Sequence, residues 1–197
     1  MPVPLSIIRD ARACVVCAEA LPFEPRPLLA GSLKSRLLII GQAPGIAAHE
    51  SGTPWNDPSG ERLRTWLGLS TEQFYNPNLV ALALMPMGFC YPGKGRTGDA
   101  PPRPECAPLW HARILAKLGR IKLTIYVGRY AFEHYLKSDF TDITEAALHP
   151  ERLLPERCAL PHPSPLNNRW LARHRDFERQ VIPRVRDSVA SVMSAPG

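Results

Sequence analysis

Four short apolar runs punctuate the chain, each ending on glycine, proline or a polar loop. They are Leu37-Leu38-Ile39-Ile40, residues 79–84, Leu123–Val127 and residues 158–160. Uninterrupted apolar runs of strand length suit strands buried on both faces of a parallel sheet. Between them the spacing turns helical. Residues 5–13 carry Leu5, Ile8 and Ala11 or Ala13 on a short helix leading to Cys14. Leu63, Trp66 and Leu67 form an i, i+3, i+4 stripe. That helix should start at Asp57-Pro58-Ser59-Gly60-Glu61, with Ser59 as N-cap, and stop at Gly68. Residues 105–118, 130–136 and 167–191 read as three further helices, the last long and basic. The remainder reads as irregular: residues 20–33 with three prolines, a polar loop over 46–59, the Gly/Pro-rich tract 93–104, and the polar stretch 138–156. A loop as long as 93–104 is more often functional than a mere connector. Strands alternating with helices predict an α/β sandwich on a four-stranded parallel sheet, as one domain over residues 1–197.

Bulk properties narrow this picture only modestly. The 197 residues are 45% hydrophobic, ordinary for a globular protein with a substantial core. No run approaches the ~20 apolar residues of a membrane span. The start, Met1-Pro2-Val3-Pro4-Leu5, lacks the pattern of a secretory signal, so a cytoplasmic location is expected. A net charge of +6 is compatible with a polyanionic partner, because Lys and Arg displace counterions from phosphates. The five cysteines include Cys14-x-x-Cys17, which in such a chain points to metal or redox chemistry rather than a disulfide scaffold.

The candidate chemistry sits at two strand ends. Gly41-Gln42-Ala43-Pro44-Gly45 follows the first apolar run, and Pro161-His162-Pro163-Ser164-Pro165-Leu166-Asn167 follows the fourth. In open α/β sheets, ligands bind at that edge. Together the two stretches resemble the signature motifs of the uracil-DNA glycosylase superfamily, over about residues 10–185. The resemblance implies a three-layer sandwich and a monomeric DNA repair enzyme. Such an enzyme flips uracil, or a related deaminated base, and hydrolyses its N-glycosidic bond. It also implies that Gly41, Gln42 and Ala43 belong to the water-activating loop, and His162, Ser164 and Asn167 to the loop gripping minor groove and flipped base. Trp55 lies where the family places an aromatic residue against uracil, flanked by Asn56 and Asp57. Cys14, Cys17, Cys90 and, after fifteen intervening residues, Cys106 are similar to the iron–sulfur branch, whose four cysteines hold a [4Fe-4S] cluster. Four thiolates also suffice for tetrahedral zinc, and buried free cysteines are common small hydrophobes. Cys158, on a strand, reads as core.

The chemistry asks for donors aimed at the uracil oxygens and a group holding water at the sugar. His162 supplies the donor, Trp55 a π-face, and Gln42 a group to orient water. The chain also departs from the family. Ala43 stands where the widespread branch has Asp, and Gln42 where the iron–sulfur branch has Glu. Met85-Pro86-Met87 replaces the stretch with the Asn that reads the uracil edge. With no carboxylate in the first motif, His49, Glu50 or Asp57 must serve; His49 is the expected base, and Asp57 the residue that orients the following helix. Lys94, Arg96 and Arg103 of the Gly-rich tract, with Arg169 and Arg173, are the expected DNA grip. Two other functions stay compatible with the sequence. One is a non-catalytic binder of damaged or abasic DNA; the other is a nucleotide- or phosphate-binding α/β enzyme using its Gly-rich loops.

Overall fold

The computed structural model describes residues 5–76 and 81–194. In chain order, the first part forms α1 (Ser6–Arg12), β1 (Leu37–Ile40), α2 (Ile46–Ser51), α3 (Pro58–Leu67) and α4 (Thr71–Tyr75). Next come β2 (Leu82–Leu84), a two-residue-per-arm hairpin of β3 (Lys94–Gly95) and β4 (Gly98–Asp99), and α5 (Cys106–Leu115). The chain continues through β5 (Leu123–Val127), α6 (Arg129–Tyr135), α7 (Ile143–Leu148) and β6 (Arg157–Leu160). It closes with α8 (Asn168–Arg173) and α9 (Ile182–Ser194).

The main sheet is four-stranded and parallel, in the order β2-β1-β5-β6. Leu37 pairs with Leu82 on one side and Leu123 on the other, and Ile125 pairs with Cys158. Alternate side chains leave opposite faces of a strand, which here divides the core in two. Leu38, Ile40, Ala83, Tyr126 and Ala159 pack with residues of α1, α5 and α6. Leu37, Ile39, Leu84, Ile125, Cys158 and Leu160 pack with those of α3 and α9. The three-layer α/β fold is therefore as expected, and all four carboxyl strand ends open onto one edge.

Several local expectations are corrected. The run 79–84 is a strand over Leu82–Leu84; residues 79 and 80 lie outside the described residues. The tract 46–59 is not a continuous loop: Ile46-Ala47-Ala48 starts the helix α2 after an extended Gly45. The cap of α3 is Asp57, whose Oδ1 accepts from the Gly60 N–H at 2.7 Å, with Pro58 in the first turn. Within 138–156, Asp142 caps α7 in the same way, accepting from the Glu145 N–H at 2.8 Å. A separate α4 is closed by a capping box between Ser70 and Gln73. The long basic helix over 167–191 is broken. α8 stops at His174, whose ring meets the Trp170 carbonyl at 2.9 Å, and a π-turn over Phe177–Val181 leads into α9. Pro183, at the start of α9, has no N–H to continue an upstream ladder.

Candidate active site

A cleft of about 570 Å3 opens at the carboxyl ends of the strands, with Gln42, Pro44, Trp55, Asp57, Asp99 and His162 among its walls. The first motif leaves β1 with its backbone fixed. The carbonyls of Gly41 and Gln42 accept from the N–H groups of Met87 and Gly88, both at 2.9 Å, tying it to the loop after β2. Gly41 is covered by the Trp55 indole so closely that a Cβ there would lie 2.6 Å from Cζ2. Trp55 itself has φ 58°, a conformation that costs a side-chain-bearing residue about 1–3 kcal/mol. Its carbonyl is held by the Tyr75 hydroxyl at 2.9 Å and the Arg64 guanidinium at 3.2 Å. The strain fixes the indole across the strand end, where it stacks on His162 with ring centroids 5.9 Å apart and planes at 29°.

His162 leaves β6 between the buried Pro161 and Pro163. Gly128 makes room for it at the end of β5, since a Cβ there would press to 3.3 Å against the imidazole Cβ and Cδ2. The loop is clamped from three sides. Asn167 Nδ2 donates to the His162 carbonyl at 2.7 Å, and Ser164 Oγ accepts from the Leu166 N–H at 3.2 Å. Arg62 of α3 donates to the carbonyls of Pro163 and Ser164 at 3.2 and 3.3 Å. The clamp leaves Leu166 at the cleft rim with 75% of its surface exposed. Burial pushes the His162 pKa down, and the charges of Asp57 and Asp99 oppose that. A neutral imidazole keeps one N–H to donate.

The sequence model of the Uracil DNA glycosylase superfamily matches residues 30–186, which include every residue of the cleft lining except Leu28. The chain belongs to the uracil DNA glycosylase superfamily. Membership makes DNA the general partner and a glycosylase-type hydrolase the general function. The fold is also that of a Methanosarcina acetivorans protein, solved by solution NMR and described provisionally as a uracil DNA glycosylase. The two share 15% identity at a TM-score of 0.50, over 83% of this chain and 97% of that one.

Most residues expected from the superfamily motifs meet in the cleft: Gln42, Ala43, Trp55, Asp57, His162, Ser164 and Asn167 all line it, and Gly41 lies beneath Trp55. His49 does not. The helical course of α2 turns Ala48 to the cleft and packs the His49 ring against Phe23 and Tyr91, with centroids 5.2 and 6.0 Å away. Its Nδ1 is buried there without a hydrogen-bond partner. Glu50 and Asn56 are also outside the cleft lining. Sequence reasoning missed Asp99. Its Oδ1 pairs with Lys94 Nζ at 2.9 Å across the β3–β4 hairpin, which carries it into the cleft. Nothing local marks an aspartate in a Gly/Pro-rich tract as a site residue; only the folded-back hairpin does.

Of the expected DNA contacts, Lys94 stands at the rim, Arg96 is exposed at the hairpin turn, and Arg169 and Arg173 are exposed along α8. Arg103 is elsewhere. It is ion-paired with Glu105 at 2.5 Å and lines a second, small pocket that all four expected cysteines share. Cys14 and Cys17 reach it from the chain start, Cys90 from the loop after β2, and Cys106 from the start of α5. Backbone N–H groups of Arg26 and Phe89 donate to the sulfurs of Cys90 and Cys106. Without a metal, burial pushes these two thiols up, to about 12 and about 11. Among the described residues no three His, Cys, Asp or Glu side chains gather around a point where one ion would sit. Arg103 Nε is buried beside the pocket with no partner. Four soft thiol donors lining one pocket fit an iron–sulfur cluster or a zinc ion.

Proposed function

We propose that the protein is a DNA glycosylase that extrudes uracil, or a related deaminated base, and hydrolyses its N-glycosidic bond. One observation carries the reading: His162 and Trp55 stack on each other above Gly41, with the carboxylate of Asp57 in the same cleft. A flipped base would lie on the indole face. As the glycosidic bond breaks, negative charge collects on the base oxygens, and the half-buried His162 N–H donates to them. Gln42 orients water, and Asp57 takes the place of the carboxylate absent from the first motif and stabilises the cationic sugar. His49, facing Phe23 and Tyr91, takes no part. Leu166 would enter the base stack as an apolar wedge, while Lys94, Arg96, Arg169 and Arg173 hold phosphates. Cys14, Cys17, Cys90 and Cys106 would hold a [4Fe-4S] cluster, with zinc as the alternative. Held by these four cysteines, such a group would tie the chain start to the loop after β2 and to α5. The protein would act as a cytoplasmic monomer.

The test is single-turnover incubation with uracil-containing single- and double-stranded oligonucleotides, followed by alkali. Strand breakage at uracil is expected, and His162→Ala should slow it roughly 10²–10³-fold while DNA affinity holds. A second reading, a non-catalytic binder of damaged DNA, is favoured by one feature: Gln42-Ala43 leaves the first motif without a carboxylate. It predicts tight binding with no breakage.

A further inference from the structure

We propose that Asp99 is a second catalytic carboxylate, which holds the attacking water jointly with Asp57; the proposal rests on the glycosylase reading above. Asp99 is remote in sequence from both motifs, and the hairpin brings it in. Lys94 faces Asp99 in the β3–β4 register, and the Ala100 N–H donates to the Gly93 carbonyl at 2.8 Å, closing the hairpin base. Gly98, beside Asp99, packs near Leu166, so the hairpin tip abuts the second motif.

Each of the two carboxylates has one oxygen tied and the other directed inward. Asp57 Oδ1 is held by the Gly60 N–H at 2.7 Å, and Asp99 Oδ1 by Lys94 Nζ at 2.9 Å. The remaining oxygens converge above Gly45: a Cβ on that residue would lie 3.3 Å from Asp99 Oδ2 and 3.8 Å from Asp57 Oδ2. The absence of a side chain at Gly45 leaves that space open. A carboxylate oxygen accepts hydrogen bonds, so a water molecule between the two can donate one to each. Both charges also act on His162, which lines the same cleft.

In the reaction the water oxygen bonds to the sugar C1′, and one of its protons passes to Asp99 or Asp57. The C1′–N bond breaks with its electron pair leaving on the base, whose oxygen accepts from His162. The carboxylate then releases its proton to solvent or to the base anion, and the site is restored. Because the carboxylates share one water, their removal should be far from additive.

The experiment compares wild type, Asp99→Asn, Asp99→Ala, Asp57→Asn and the Asp57→Asn/Asp99→Asn double variant. It measures single-turnover excision at saturating uracil-containing DNA, with anisotropy for affinity and thermal melting as a check of folding. Asp99→Asn should slow excision on the order of 10²-fold, with affinity within about threefold. The double variant should be only slightly slower than the slower single one. Excision by Asp99→Asn at the wild-type rate, or a changed preference among uracil, hypoxanthine and xanthine at an unchanged best rate, would overturn the role of Asp99 alone. Wild-type protein inert on all three bases would overturn it together with the glycosylase reading.

Discussion

His111 gives a prediction whose size follows from the structure. It lies in α5 with 2% of its surface exposed, Nε2 3.1 Å from the Pro86 carbonyl and Nδ1 2.6 Å from the Tyr135 hydroxyl. A carbonyl can only accept, so the ring carries its proton on Nε2, and Nδ1 accepts from Tyr135. Phe89 stacks on the ring at 5.9 Å. Burial lowers the pKa from 6.5 to about 4; the bond to Pro86 opposes this, and the neighbouring His134 adds to it. A folded-state pKa below the unfolded one means that the unfolded chain binds the proton more readily. The stabilisation is complete above about pH 6.5 and is lost as the pH falls towards about 4. At about 1.4 kcal/mol per pH unit, the gap amounts to about 3 kcal/mol. His111→Gln, which does not titrate, isolates it. Denaturant unfolding of both proteins between about pH 8 and about pH 4 should show wild type the more stable at the top, with the difference shrinking by about 3 kcal/mol towards the bottom. Acid loss from paired carboxylates such as Glu145, held at about 2, is common to both proteins and cancels. A difference that stays constant across the range would refute the assignment of a buried neutral imidazole.

Gly41→Ala puts a methyl group 2.6 Å from Trp55 Cζ2, so the indole must leave its place. Excision should fall on the order of 10²-fold with a shift in tryptophan emission, and normal activity would show that Trp55 does not seat the base. Protein purified without oxygen should be brown and contain iron and acid-labile sulfide in equal amounts. A colourless protein with bound zinc would keep the cysteine site and remove the cluster.

The sheet was legible because buried parallel strands write themselves as unbroken apolar runs, as at Leu37–Ile40 and Leu123–Val127. The two motifs were legible because each begins where such a run stops. The short helices were not: α2 and α7, of six residues each, are too brief for an apolar stripe to stand out from a loop. That concealment produced the one misplaced catalytic expectation. With 46–59 read as a loop, His49 was free to face the base; as a helix, it offers Ala48 instead. Asp99 was hidden for a different reason, since its place depends on a hairpin closed by Lys94 rather than on neighbours in sequence. The place of Arg103 beside the cysteine pocket was hidden too, because a cation in a Gly/Pro-rich tract looks alike wherever the fold carries it.

The central claim, that His162 and Trp55 frame a site for cleaving a base from DNA, is tested most directly by single-turnover uracil excision from a single-stranded oligonucleotide. The account predicts release of free uracil by the wild-type protein, an alkali-labile site left behind, and a loss of roughly 10²–10³-fold in rate for His162→Ala at unchanged DNA affinity. Wild-type protein that binds such oligonucleotides and leaves uracil, hypoxanthine and xanthine all in place, or His162→Ala that excises at the wild-type rate, would contradict it.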